Sequence, residues 1–191
     1  MSTPVIVLRI VPPLAFAAAM LLSATGHRAA TKTRARPNGS NRAPLVANCA
    51  AFGLYLPSLL VFSGSSGGSG ALWLAASGAL LGLAGVGLVI RSRSELGPAW
   101  SLAPIADRRT GPVTTGPYRL VRHPIYLGFT MLVTGEALAF GSWPAFTIVV
   151  CGIVPTFVWR ARTEEKLLSG IFGERYTVYR QRTRMIIPYL L

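Results

Sequence analysis

Five stretches of the chain are almost wholly apolar: residues 5–24, 44–62, 71–90, 125–140 and 143–159. A helix that crosses a bilayer needs about 20 mainly apolar residues, with a range of roughly 17–25. Each stretch therefore reads as a spanning helix. The last two are short and separated only by Gly141-Ser142, which predicts a tight helical hairpin. Such a break is tolerated at membrane depth where the backbone polar groups find partners nearby. Pro12-Pro13 interrupts the first stretch and predicts a kink. No clear basic segment precedes that stretch, which favours a retained span over a cleaved signal peptide. Gly78 and Gly82, with Gly85 and Gly87 nearby, put small residues along the third stretch and predict close packing against another helix. They do not read as a cofactor-binding glycine loop, because no strand precedes them. The pattern predicts an all-α integral membrane protein of about five transmembrane helices with a C-terminal cytoplasmic helix and no Rossmann domain.

Composition agrees with this picture. Only 13% of the residues are charged, against about 25% in soluble domains, and mean hydropathy is +0.49. The net charge of +13 would by itself allow nucleic-acid binding, but its distribution points elsewhere. Residues 25–43 carry five Lys/Arg, residues 91–124 six and residues 160–191 seven, whereas 63–70 and 141–142 carry none. In a five-span arrangement every basic residue but Arg9 falls on one side. Cytoplasmic loops carry the Lys/Arg excess, so the N-terminus is expected outside and the C-terminus in the cytoplasm. The charge then serves topology and attraction to anionic lipid. Residues 31–41 are basic and rich in Pro, Gly, Asn and Ser, and 63–70 are almost entirely Gly and Ser; both read as flexible connections. Cys49 and Cys151 lie in apolar stretches with no metal-ligand spacing. A thiol there is expected to be a buried small hydrophobe, with neither a disulfide nor a metal site.

The chemistry-bearing residues gather at two places. One is Tyr118 to Tyr126, which holds His123, one of only two histidines, and runs directly into the fourth apolar stretch. The other begins at Trp159-Arg160, past the end of the fifth. A tight hairpin would bring these ends together although they lie some forty positions apart. Arg160 and Glu164 are spaced i, i+4 and share a helix face; they read either as a surface ion pair of small value or as a pair that grips charged ligand groups. Pro124 disfavours helix at His123 and suits the first turn of the next helix, so His123 either caps that helix or meets a ligand. Tyr118 and Tyr126 fit an interfacial aromatic belt. Glu136 lies inside the fourth stretch, where a carboxylate is costly and functional by default; a protonated or paired residue packed against another helix is the favoured reading.

Taken together, Thr114-Thr115-Gly116-Pro117-Tyr118, Arg122-His123-Pro124-Ile125-Tyr126-Leu127-Gly128, Arg160-x3-Glu164-Glu165, Phe172-Gly173-Glu174-x-Tyr176-x2-Tyr179 and Ile187-Pro188 resemble the isoprenylcysteine carboxyl methyltransferase family. Leu96-Gly97-Pro98-Ala99-Trp100-Ser101 looks like a further family segment. The resemblance covers about residues 95–188 and none of the first two apolar stretches. It implies a membrane-embedded methyltransferase that uses S-adenosylmethionine without a soluble Rossmann fold, with a cytoplasmic cofactor pocket and a lipid-facing entrance for the acceptor. It divides the chain into an N-terminal three-span region, 1–90, and a methyltransferase core, 91–191. By motif, Tyr118, His123, Pro124, Ile125, Tyr126 and Glu164 would line the cofactor site, Glu164 through the cofactor's ammonium group. Thr110, Gly111, Pro112 and Val113 would hold the adenosine side, on a looser local match. Arg160 would be the catalytic residue facing the substrate, as the corresponding arginine meets the prenylcysteine carboxylate in the eukaryotic enzymes.

Transfer from a sulfonium to a carboxylate needs no covalent intermediate and no general base, only placement at about 3–3.5 Å, and arginine's planar fork suits a carboxylate. A thiol or phenol acceptor would need deprotonation, for which His123 or Glu165 is available. The expected partners are a lipophilic or prenylated substrate and the bilayer, with no nucleic acid. Two other readings stand beside this one: an NADPH-dependent membrane reductase of the sterol reductase type, and a non-enzymatic membrane anchor whose residues 163–184 form an amphipathic surface helix.

Overall fold

The computed structural model describes residues 3–26, 43–64, 69–97 and 111–187. Thr110, residues 31–41, 65–68, Pro98 to Ser101 and Pro188 lie outside them. The described residues form helices and connecting turns; no strand occurs among them beyond one parallel bridge between Val121 and Arg184. The helices are α1 (Thr3–Gly26), α2 (Ala43–Val61), α3 (Ser69–Leu96), α4 (Pro124–Phe140), α5 (Trp143–Phe172) and α6 (Glu174–Arg182), with a 3-10 turn at Gly116–Arg119. Three are long and apolar enough to cross a membrane: α2, residues Gly70–Leu96 of α3, and α5; Thr3–Ala19 of α1 and all of α4 are shorter apolar helices. Leu54, Leu60, Val61, Trp73, Leu80 and Trp143 stand on the outside of the bundle, an exterior that suits lipid rather than water.

The sequence accounts for the local geometry. Helix α1 runs through Pro12 and Pro13, and Pro12 is buried against the Gly82 position. Helix α5 widens to a π-helical turn at Val149–Ile153. Pro155 lacks an N–H and its ring crowds the carbonyl of Cys151, and a widened turn before a proline relieves that clash. The apolar stretch of α5 ends at Trp159; beyond it the helix is charged.

The closest packing is between α3 and α4, and it is reciprocal. A Cβ on Gly78 would lie 2.4 Å from the Gly135 carbonyl oxygen, and one on Gly135 2.4 Å from that of Gly78. Gly85 and Gly128 repeat the arrangement at 2.5 and 2.7 Å. The predicted small-residue face is therefore real at Gly78, Gly82 and Gly85. Gly87 meets nothing within 4 Å and is not part of it. On the other side of α4, Tyr55 of α2 donates to the Val133 carbonyl at 2.8 Å, within a core that includes Ala137, Ala145, Val149, Ile153 and Phe157. Asn48 bonds Thr156 at 2.9 Å and ties α2 to α5. Cys49 and Cys151 are exposed, not buried as expected, because both fall on outward helix faces.

The hairpin between α4 and α5 forms as predicted. Gly141 takes a left-handed conformation, φ 61°, which a side chain would disfavour. Ser142 caps α5, accepting from the Ala145 N–H, and its hydroxyl donates to the Ser58 carbonyl at 3.0 Å. Arg9, the one basic residue apart from the rest, is buried at this end. Its Nε donates to the Ala139 carbonyl at 2.8 Å and its guanidinium sits 5.0 Å from the centre of the Phe140 ring. A cation there satisfies a carbonyl of the last turn of α4 and complements the negative end of the helix.

Candidate active site

The opposite end of the hairpin lies about 25 Å away, at 1.5 Å per residue of α4. Pro124 occupies the first turn of α4 and His123 the preceding position, with φ −123° and ψ 59° and no side-chain capping bond. Its carbonyl accepts from the N–H groups of Tyr126 and Leu127, so the backbone of His123 starts the helix while its imidazole is left for other contacts. The segment after α6 docks alongside: Arg122 N–H donates to the Arg184 carbonyl at 2.8 Å and His123 N–H to that of Met185 at 2.9 Å.

The two ends of the hairpin meet through their side chains. Tyr126 donates to Glu164 at 2.6 Å, and Arg160 Nε donates to the same oxygen at 3.1 Å. Both members of the Arg160–Glu164 pair are largely buried, with side-chain exposures of 17% and 18%, so this is not a solvated surface pair. The rings stack in a column: His123 on Tyr126 at 5.5 Å, and Tyr126 on Phe157 at 5.1 Å, each within 12° of parallel. Arg160 lies over the Tyr126 ring at 5.7 Å. His123 stands between two carboxylates, with Nδ1 3.7 Å from Glu164 and Nε2 3.6 Å from Glu165. Neither distance is a hydrogen bond, and Nε2 is buried without a hydrogen-bond partner among the described residues.

Glu165 faces the other way. It accepts from Arg122 Nε at 2.5 Å and lies 3.6 Å from Arg180. Burial opposes its ionisation, but the neighbouring His123 and Arg122 outweigh that and hold the carboxyl low, at about 2. Arg122 also donates to the carbonyls of Arg180 and Thr183. Tyr118 is buried in the 3-10 turn, and its carbonyl accepts from Tyr179 at 2.8 Å. Burial above all, then the nearby Tyr179, Glu164 and Glu95, pushes its phenol well above the usual range, so it is protonated at neutral pH.

The structure thus gathers His123, Tyr126, Arg160 and Glu164 into one cluster, with Pro124 and Ile125 on the same first turn of α4. Gly111, Pro112 and Val113 are half-buried and make no hydrogen bond or ion pair with that cluster among the described residues; Gly111 is left-handed, φ 76°. Thr110 lies outside the described residues. Phe157 and Glu95 escaped the sequence reading, and so did the pairing of Arg122 with Glu165. Phe157 completes the aromatic column; its spacing from Ala161 and Glu164, i, i+4, i+7, was the available signal. Glu165 and Arg122 form a second ion pair behind the first. Glu95, at the end of α3, accepts from Thr115 at 2.7 Å and packs where a side chain on Gly116 would stand, fixing the approach to Tyr118.

Comparison with known proteins places the same region in a recognised group. Residues 73–175 match the family described as phospholipid methyltransferase. The chain is 33% identical over 78 residues to protein-S-isoprenylcysteine O-methyltransferase of Schizosaccharomyces pombe, covering 41% of this chain and 33% of that protein. It is 38% identical over 77 residues to methanethiol S-methyltransferase of Pseudomonas deceptionensis, covering 38% and 27%. It is 29% identical over 111 residues to the cobalt-zinc-cadmium resistance protein CzcN of Cupriavidus metallidurans, covering 58% and 49%. In each case the match spans less than half of the relative's length.

Proposed function

The chain belongs to the phospholipid methyltransferase family, and from that premise we propose that it is an integral membrane enzyme transferring a methyl group from S-adenosylmethionine to a lipophilic acceptor, foremost a carboxylate. The observation that carries this reading is the convergence of Tyr126, Arg160 and Glu164 beside the His123 ring.

The residues present fit the methyl donor. S-adenosylmethionine is cationic at its sulfonium and ammonium groups. Glu164 supplies a largely buried carboxylate, the His123–Tyr126–Phe157 column supplies aromatic faces that attract cations, and His123 Nε2 is a buried polar atom with no hydrogen-bond partner among the described residues. When bound, the donor supplies an electrophilic methyl carbon. Tyr118, His123, Pro124, Ile125, Tyr126 and Glu164 hold it, and Thr110, Gly111, Pro112 and Val113 form its adenosine side. Tyr126 fixes the Glu164 carboxylate through its hydroxyl. Arg160 orients the acceptor carboxylate, which attacks without losing a proton, so positioning supplies the rate.

An apolar groove of about 500 Å³ between α2 and α5, lined by Ala47, Ala50, Leu54, Gly152 and Pro155, reaches Trp159 next to Arg160. It supports a hydrocarbon-bearing acceptor. In this reading all five apolar helices cross the bilayer, residues 1–90 form a membrane region and 91–191 the methyltransferase core, and the site faces the cytoplasm. A thiol acceptor is the second reading: it must lose a proton, and the imidazole of His123 is the base available beside Tyr126.

The test is methyl transfer from labelled S-adenosylmethionine by the full chain in lipid, offered a farnesylcysteine analogue, a long-chain thiol and a long-chain phenol. We expect a base-labile methyl ester on the carboxylate, and a rise in KM of at least tenfold in Arg160→Met. Turnover of the thiol alone, abolished by His123→Gln, would replace this reading with the second. Selective binding of NADPH without binding of S-adenosylmethionine would sink both.

A further inference from the structure

Around Arg122 and Arg180, the two arginines that meet Glu165, lies a second cavity that the methyl-transfer reading does not use. It has a volume of about 380 Å³ and is lined by Arg122, Arg184, Thr183 and three residues of α6, Thr177, Arg180 and Gln181. The spacing of those three, i, i+3, i+4, puts them on one helix face, while Tyr176 and Tyr179 are buried on another. Three guanidiniums border the cavity, and Glu165 is the one carboxylate within ion-pair distance of any of them among the described residues. The Arg122 side chain is only 9% exposed. Its Nε is engaged by Glu165 and its Nη1 by two backbone carbonyls; among the described residues its Nη2 has no acceptor. Arg180 is half-exposed and Arg184 exposed, so both can turn into the opening.

An incoming group must therefore be anionic, small and able to accept from several guanidinium N–H groups at once, which describes a phosphate. Neighbours of the lining residues supply a second clue. Leu120, whose carbonyl accepts from the Arg184 N–H, and Val178, next to Thr177, are both exposed large apolar side chains. Cations interleaved with exposed apolar groups make a surface that meets lipid headgroups.

We propose that this cavity is a phosphate-binding site, taking the headgroup phosphate of an anionic membrane lipid or a free phosphate. It is separate from the methyl-donor site, since none of its lining residues belongs to the cluster of His123, Tyr126, Arg160 and Glu164, and it does not depend on which acceptor is methylated.

The test uses the full chain and two probes, phosphatidylglycerol against phosphatidylcholine, and inorganic phosphate. Arg180→Gln/Arg184→Gln removes the two exposed arginines without cutting the buried Arg122–Glu165 pair. Arg162→Gln/Arg175→Gln makes the same charge change at other exposed positions and is the control. Native mass spectrometry reads retained lipid, and thermal unfolding reads protection by phosphate. Retention of phosphatidylglycerol over phosphatidylcholine, reduced at least tenfold in the first variant and unchanged in the control, identifies a lipid headgroup. Protection by inorganic phosphate lost in the same variant, without lipid selectivity, identifies a free phosphate. Neither effect in the unmodified chain, or an equal loss in the control, overturns the proposal.

Discussion

Glu164 and Glu165 are neighbours in the chain and belong to different networks. Consecutive helical residues point about 100° apart, so Glu164 meets Tyr126 and Arg160 while Glu165 meets Arg122 and Arg180. The two positions should fail differently when neutralised. Glu165→Gln leaves a largely buried guanidinium without its carboxylate, and breaking such a pair costs about 3–5 kcal/mol, so the thermal midpoint should fall sharply. Tyr126→Phe should unfold near the parent's midpoint, while Glu164→Gln, which leaves the largely buried Arg160 without its carboxylate, should lose some stability; both should bind S-adenosylmethionine at least tenfold more weakly, since a hydrogen bond to a charged group contributes about 1.5–3 kcal/mol. Thermal unfolding and equilibrium binding on the same samples check both statements. Loss of binding in Glu165→Gln without loss of stability would contradict this division.

At the scale of elements, what brings α3 and α4 together is the absence of side chains. The Gly78–Gly135 and Gly85–Gly128 pairs let backbone meet backbone, the close approach that small residues permit in membrane helices. Gly135→Val would put a side chain through the Gly78 carbonyl, and overpacking of this kind costs about 1–3 kcal/mol or more. We expect a clear loss of thermal stability in detergent, while Gly87→Ala, where nothing lies within 4 Å, should unfold like the parent. Equal effects at both sites would show that this contact does not hold the bundle. The contact also matters for the site, because α4 carries His123 and Tyr126 at its start and any shift of α4 separates them from α5.

For the whole molecule, the two ends of the bundle differ in character. One carries the Gly141 turn, Arg9 buried against the end of α4, and the exposed Trp73 and Trp143. The other carries the clustered arginines and carboxylates. The proposed orientation puts the first outside and the second in the cytoplasm. In a chain with Cys49 and Cys151 replaced by serine, Ser63→Cys should react with a membrane-impermeant maleimide on intact cells, and Arg175→Cys only after permeabilisation. The reverse pattern would invert the topology.

Much of this was legible in the sequence. The apolar stretches located the helices, the glycines of the third stretch announced a close helix contact, and Gly141-Ser142 announced the hairpin, because hydrophobic period, steric size and turn chemistry are local properties of the chain. The short hairpin also implied that residues near 123 and near 160 would be neighbours. Which side chains pair across that junction was not legible. Arg160 with Glu164 fits a solvated pair as well as a buried one until Tyr126 is seen to meet both, and burial is set by residues far away in sequence. The same holds for His123 Nε2, which has no hydrogen-bond partner among the described residues, for Glu165 with Arg122, and for Gly87, which shares a helix with three packing glycines but meets nothing within 4 Å among the described residues. Sequence period determined which faces exist; only the tertiary structure decided what each face meets, because the electrostatics and packing there depend on three or four elements at once.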